Sequence, residues 1–116
     1  MQIDFRAHGF SLTGELRDYS ERRLRFALAR VAGRVRLITV RFFDINGPRG
    51  GIDKRCRVRA TLNGLGAVVI EDTEADLYLA IDRAADRIGR TVMRRLARYS
   101  VHPDEKPIDI ATRSAR

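Results

Sequence analysis

Between Arg83 and Arg98 the chain carries six arginines: Arg83, Arg87, Arg90, Arg94, Arg95 and Arg98. All but Arg95 recur at intervals of three or four residues, which on a helix of about 3.6 residues per turn stacks them in one stripe. Leu77, Ile81, Ala84, Ile88, Val92 and Tyr99 fall on roughly the opposite side. Guanidinium groups are permanently charged planar forks that take phosphate oxygens two at a time. A row of them on the face a core does not use is the chemistry of polyanion binding, nucleic acid foremost. The competing reading is a solvated, salt-bridged helix face. Against it, the helix offers only Asp82 and Asp86 as partners within the stripe. Asp86 and Arg90 form an i,i+4 pair contributing about 0.3–0.5 kcal/mol; the remaining arginines are expected to repel one another.

Three further groups could join such a surface. Arg22, Arg23 and Arg30 share a flank with Tyr19 and Phe26. Either the aromatics pack in a seam between two helices beside solvated arginines, or the arginines form the second wall of a basic groove. The segment Gly47-Pro-Arg-Gly-Gly, with Arg49, Lys54 and Arg55, reads as a hairpin tip able to follow a phosphate backbone. It does not open a helix and lacks the Gly-Lys-Ser/Thr ending, so it is no P-loop. Arg6, Arg41, Arg55, Arg57 and Arg59 alternate outward along strand-like segments, where charge is ordinary for a one-sided sheet. An aromatic platform of the kind used by RNA-recognition-motif sheets is missing there.

Catalytic chemistry finds no such pattern. His8 and His102 lie at opposite ends of the chain, and with Cys56 they match no zinc-site spacing. Asp82 and Asp86 are better read as charges tuning the arginines than as an acid/base pair. Cys56 alternates inward and reads as a small core residue. No catalytic residue, metal, cofactor or small-molecule substrate is expected.

The chain has 116 residues, which suits one domain with a modest core. Its net charge is +8, well beyond what solubility asks of a small domain. No apolar run is long enough for a membrane span, so no membrane partner is expected. The first residues enter strand-like alternation with no leader pattern, and a single cysteine suits a reducing cytosol; a cytoplasmic protein, monomeric rather than stably dimeric, is expected.

Residues 2–8 alternate as a half-buried strand with Ile3, Phe5 and Ala7 inward. Ser11 or Thr13 can cap a helix that starts near Gly14, follows the stripe Leu16, Ser20, Leu24, Ala27, Leu28 and Val31, and ends at Gly33. Strands are expected at Val35–Ile45, Lys54–Leu62 and 66–72, with a tight turn at Asn63-Gly64. Thr73 is expected to cap a second helix over Glu74–Tyr99. The order β-α-β-β-β-α predicts an α+β, two-layer domain over residues 1–99: a four-stranded mixed sheet with both helices on one face. Residues 100–116, with Pro103 and Pro107, are expected to form a flexible tail.

Two segments, Leu12-Thr-Gly-Glu-Leu-Arg-Asp-Tyr-Ser-Glu-Arg-Arg-Leu24 and Glu74-Ala-Asp-Leu-Tyr-Leu-Ala-Ile-Asp-Arg-Ala-Ala-Asp-Arg-Ile-Gly-Arg90, together with the element order, resemble the ribosome hibernation-promoting factors, also called ribosome-associated inhibitors or sigma-54 modulation proteins. The resemblance spans residues 1 to about 99 and implies the short form of that family. It implies a non-enzymatic protein that binds the small ribosomal subunit in the channel of messenger and transfer RNA and silences idle ribosomes. The family's basic positions correspond to Arg23, Arg87, Arg90 and Arg94, while Phe26 stands where a lysine is common. RNA contact is therefore expected from Arg22, Arg23, Arg30, Arg83, Arg87, Arg90, Arg94 and Arg98, with Arg49, Lys54 and Arg55 as further loop contacts. A general double-stranded-RNA binder or RNA chaperone, and a module for an acidic protein partner, are the alternatives.

Overall fold

The computed structural model describes residues 1–45 and 53–101, with backbone alone for Ser100 and Val101. Arg49 and the rest of its glycine-rich segment, and the expected tail from residue 102 onward, lie outside the described residues.

The elements are β1 (Gln2–His8), α1 (Gly14–Ala27), β2 (Val35–Asp44), β3 (Lys54–Leu62), β4 (Gly66–Glu74) and α2 (Leu77–Val101), with a 3-10 segment at Ala29–Arg34. The strands form one sheet in the order β1-β2-β3-β4, with β1 parallel to β2 and the later pairs antiparallel. This is the expected α+β architecture. Alternation decides which side is dry: Ile38, Val40, Phe42, Cys56, Val58, Ala60, Leu62, Val68 and Ile70 face the helices and are buried. Leu16, Leu24 and Leu28 meet them from the first helical segment, and Ile81, Ala84, Ile88 and Val92 from α2. Both helices therefore cover one face. Removing a side chain such as Ile88 is expected to cost about 2–5 kcal/mol.

Local chemistry sets the ends of the elements. Thr13 caps α1, its Oγ1 accepting from the Leu16 amide at 3.2 Å. The helix stops at Ala27, not Gly33: the apolar pattern through Leu28 and Val31 continues in the tighter 3-10 segment, which places Arg30 beyond α1. The Asn63 amide and its Nδ2 donate to the carbonyls of Arg34 and Gly33, tying that segment to the β3–β4 turn. The turn itself needs Gly64 and Gly66 at φ +74° and +76°.

The expected start of the second helix is corrected. Thr73 and Glu74 pair with Arg55 and Lys54 in the β3–β4 ladder, so they belong to β4. Asp76 is the capping side chain, its carboxylate accepting from the Tyr78 amide at 3.0 Å. Tyr99, expected on the apolar side, is exposed near the far end of α2.

Candidate nucleic-acid interface

The two helices run side by side in the same direction, because their contacts advance together along both chains. Tyr19 stacks edge-on against Tyr78 at 5.1 Å and donates its hydroxyl to Asp82 at 2.6 Å. One helical turn later Arg23 donates to the Asp82 carboxylate at 2.9 Å, to the Asp82 carbonyl at 3.0 Å and to Asp86 at 3.0 Å. Another turn on, the backbones nearly touch: a Cβ on Gly89 would stand 2.9 Å from the Ala27 carbonyl oxygen. A helix-interior glycine normally weakens a helix, and here it permits this approach.

These contacts revise two sequence expectations. Asp86 is bound to Arg23 across the seam, not to Arg90. Arg23 is a brace between helices, with its side chain only 23% exposed. Burial pulls the Arg23 guanidinium down, but the hydrogen bonds to Asp82 and Asp86 outweigh this and hold it above its ordinary value. Tyr19 is likewise pushed up, first by its hydrogen bond to Asp82. Of the two aromatics, only Tyr19 lies in the seam; Phe26 projects outward, 81% exposed.

The arginine stripe of α2 divides into three parts. Arg83 and Arg87 lean toward β4: Arg83 lies 3.3 Å from the Glu74 carboxylate, and Arg87 donates to the Glu71 carbonyl at 2.7 Å and approaches Asp72 at 3.6 Å. The Glu74 carboxyl is raised chiefly by its hydrogen bond to Asp72, with Arg83 working against that shift. Arg95, one step off the stripe, donates to the Leu65 carbonyl at 3.0 Å and steadies the β3–β4 turn. Arg90, Arg94 and Arg98 are exposed and have no ion pair among the described residues; Arg94 donates only to the Thr91 hydroxyl at 3.3 Å. Arg22 and Arg30 are exposed on the first helical segment, with Arg22 6.0 Å from the Tyr19 ring centre and in shallow clefts shared with Glu15, Asp18 and Glu21. The helical layer thus exposes Arg90, Arg94 and Arg98 on α2 and Arg22, Phe26 and Arg30 on the first helical segment, with half-exposed Arg83 and Arg87 nearer β4.

The remaining candidates sit elsewhere. Lys54 opens β3 and is held between Asp44 at 3.1 Å and the buried Asp53 at 2.8 Å, which leaves its ammonium little capacity for a ligand. Arg55 follows on the open face of the sheet, opposite Phe43 and Thr73. His8 stacks on Phe43 at 4.7 Å at the strand end. Cys56 is fully buried, and burial, then the nearby Asp72, push its thiol far above the ordinary range.

Acid partners from β4 and across the helix seam are what sequence spacing missed. The signal was present in part: Arg23 lies on the α1 flank between Tyr19 and Ala27, which is the flank that meets α2.

The comparisons with known proteins agree with this fold. A ribosomal subunit interface protein from Coxiella burnetii superposes with a TM-score of 0.73 at 16% identity, over 84% of this chain and 99% of that one, and shares the fold. The N-terminal domain of Thermus thermophilus Protein Y superposes with a TM-score of 0.67 at 29% identity, over 81% of this chain and 98% of that one. No curated protein sequence matches significantly. Residues 3–100 match the family described as Sigma 54 modulation protein / S30EA ribosomal protein, and the chain belongs to that family of ribosome hibernation factors.

Proposed function

We propose that this chain is a non-enzymatic translation inhibitor that occupies the channel of messenger and transfer RNA on the small ribosomal subunit. It acts by steric occlusion, as a cytoplasmic monomer. The observation that carries the reading is the set of exposed arginines without an ion pair among the described residues, Arg90, Arg94 and Arg98 on α2 with Arg22 and Arg30 on the first helical segment, in a family of ribosome factors. Their forks hold ribosomal RNA phosphates; such contacts position a protein without reading bases, and selectivity comes from the folded shape of the RNA. Arg83 and Arg87 add to the surface from its border. Arg23 contributes indirectly, by fixing the spacing of the helices.

Sedimentation of cell extract on a sucrose gradient tests this. Co-migration with small subunits or whole ribosomes, lost on replacing Arg87, Arg90 and Arg94 by glutamine, is the expected result. Scattered, ribonuclease-sensitive migration would favour a general RNA binder. Light fractions insensitive to ribonuclease would favour a protein partner.

A further inference from the structure

The side of the sheet away from the helices carries a second concentration of arginine, and strand register brings it together. Arg6 on β1 stands opposite Arg41 on β2, and Arg41 opposite Arg57 on β3. Strands in a sheet lie about 4.8 Å apart, so these positions are in contact range, and like charges directly opposed destabilise a sheet. Only at β4 does the row meet an acid: Arg57 binds Glu71 at 2.6 Å while lying 5.3 Å over the Phe43 ring. In the next row Arg59 sits between Thr39 and Val69, which is 49% exposed. Asp4, the other acid on this face, accepts from Gln2. Arg6, Arg41 and Arg59 have no ion pair among the described residues.

Outward charge on a one-sided sheet needs no ligand when the signs alternate. Here three arginines in line across three strands are balanced by a single carboxylate at the end. Arg41, Arg57 and Arg59, with Thr39 and Val69, also line an open concavity of about 560 Å³. Arg41 and Arg59, lining one concavity with the Thr39 hydroxyl, suit a tetrahedral oxyanion that accepts paired N–H bonds from their free forks, while Arg57, shared with Glu71, adds charge beside them.

We propose that this face is a second binding site, in which Arg41, Arg57 and Arg59 hold the phosphates of a multiply charged phosphoanion and Thr39 donates its hydroxyl. The ligand is either a free di- or polyphosphate compound or a stretch of RNA backbone. The site is separate from the helical surface and does not depend on the ribosomal reading.

Pyrophosphate titrated into the full chain, followed by nitrogen–proton NMR including the arginine Nε–H signals, tests the proposal without any ribosome present. Saturable shifts at Arg41, Arg57 and Arg59 are expected. In the double variant R41Q/R59Q, with its fold checked by circular dichroism, affinity should fall at least tenfold. The helix variant R87Q/R90Q/R94Q should retain the sheet shifts. E71Q, which frees the Arg57 fork from its acid, should tighten binding several-fold, and this readout does not require the double variant to fold. A single-stranded RNA oligonucleotide that moves the same signals and is displaced by pyrophosphate identifies backbone as the source. Response to pyrophosphate and a nucleoside diphosphate, but not to RNA, identifies a free phosphoanion. Shifts that never saturate, that spread over all exposed arginines, or that are unchanged in both R41Q/R59Q and E71Q overturn the site.

Discussion

On the helical layer, Arg23, Arg83, Arg87 and Arg95 each reach a carboxylate or carbonyl of another element; on the open sheet face, register sets arginines opposite one another. Arg23 spans the seam to Asp82 and Asp86, while Arg83 and Arg87 reach down to the edge strand β4. Arg6, Arg41 and Arg57 stand in one cross-strand row with a single acid at its end. The difference follows from geometry. A helix side chain sweeps a wide arc and has neighbours on two flanks, so long arginines find partners. A strand side chain stands nearly perpendicular to the sheet, and its neighbours are set by register alone. Arginine count is therefore a poor guide to available charge, and the residues left without acids mark the surface that is still open to a ligand.

The strongest way to break this comparison is to neutralise each surface in turn. R87Q/R90Q/R94Q keeps straight-chain helix formers, so stability should change little, while ribosome association in a pelleting assay should fall by orders of magnitude. Arg6→Gln with Arg57→Gln should cost much less. An equal loss from the sheet pair would place the ribosomal contact on the wrong face. Salt sharpens the same point. With about four to six phosphates neutralised by the helical surface, the log–log dependence of affinity on salt should have a slope of roughly −3 to −5. A slope near zero would remove the arginines from the interface.

Smaller effects test what positions the helical arginines. Gly89→Ala drives a methyl group into the Ala27 carbonyl, a backbone atom that cannot rotate away. Overpacking of about 1–3 kcal/mol should outweigh the helix propensity recovered, and each kcal/mol lowers Tm by roughly 4–8 °C in a domain near this size. A rise in Tm would mean that the helices part without strain. Arg23→Met deletes the brace and leaves Asp82 and Asp86 facing each other, at a cost of about 1–2 kcal/mol by chemical denaturation. Its RNA affinity should fall far less than that of the α2 triple; an equal fall would make Arg23 a direct contact. The smallest expected signal lies inside the sheet: the Cys56 thiol, raised by burial, should not react with a disulfide reagent until the protein is unfolded.

Most of the fold was legible because its periods are clean. The inward residues of β3 alternate without a break, those of β2 alternate from Ile38 to Phe42 after a register shift next to Val35, and the α2 stripe holds from Ile81 to Val92. Two boundaries were not legible. The 3.6-residue apolar pattern runs on past Ala27 through a 3-10 segment, and periodicity does not register the tightening of a turn. Thr73 and Glu74 look like a helix start, but the β3–β4 ladder extends far enough to claim them. The arginines of the site were legible as residues on a face. Their partners were not, since Asp86 choosing Arg23 over Arg90, and Arg87 choosing β4, depend on how elements pack. The row Arg6–Arg41–Arg57 was legible only as outward-facing residues, because alternation states the side of a sheet and not the register between strands.

Every strand among the described residues precedes α2 in the chain. During synthesis β2, β3 and β4 can pair as successive hairpins while the sheet's apolar face, Ile38, Val40, Phe42, Val58 and Ile70 among it, still lacks the second of the two helices that cover it. Closure comes when α2 lays Ile81, Ala84, Ile88 and Val92 onto that face. A nascent chain stalled before this point would expose a sticky sheet to chaperones and to other chains. The helix that carries the arginines outward is thus also one of the two that keep the sheet's apolar face from water, so a substitution on α2 can act through either face.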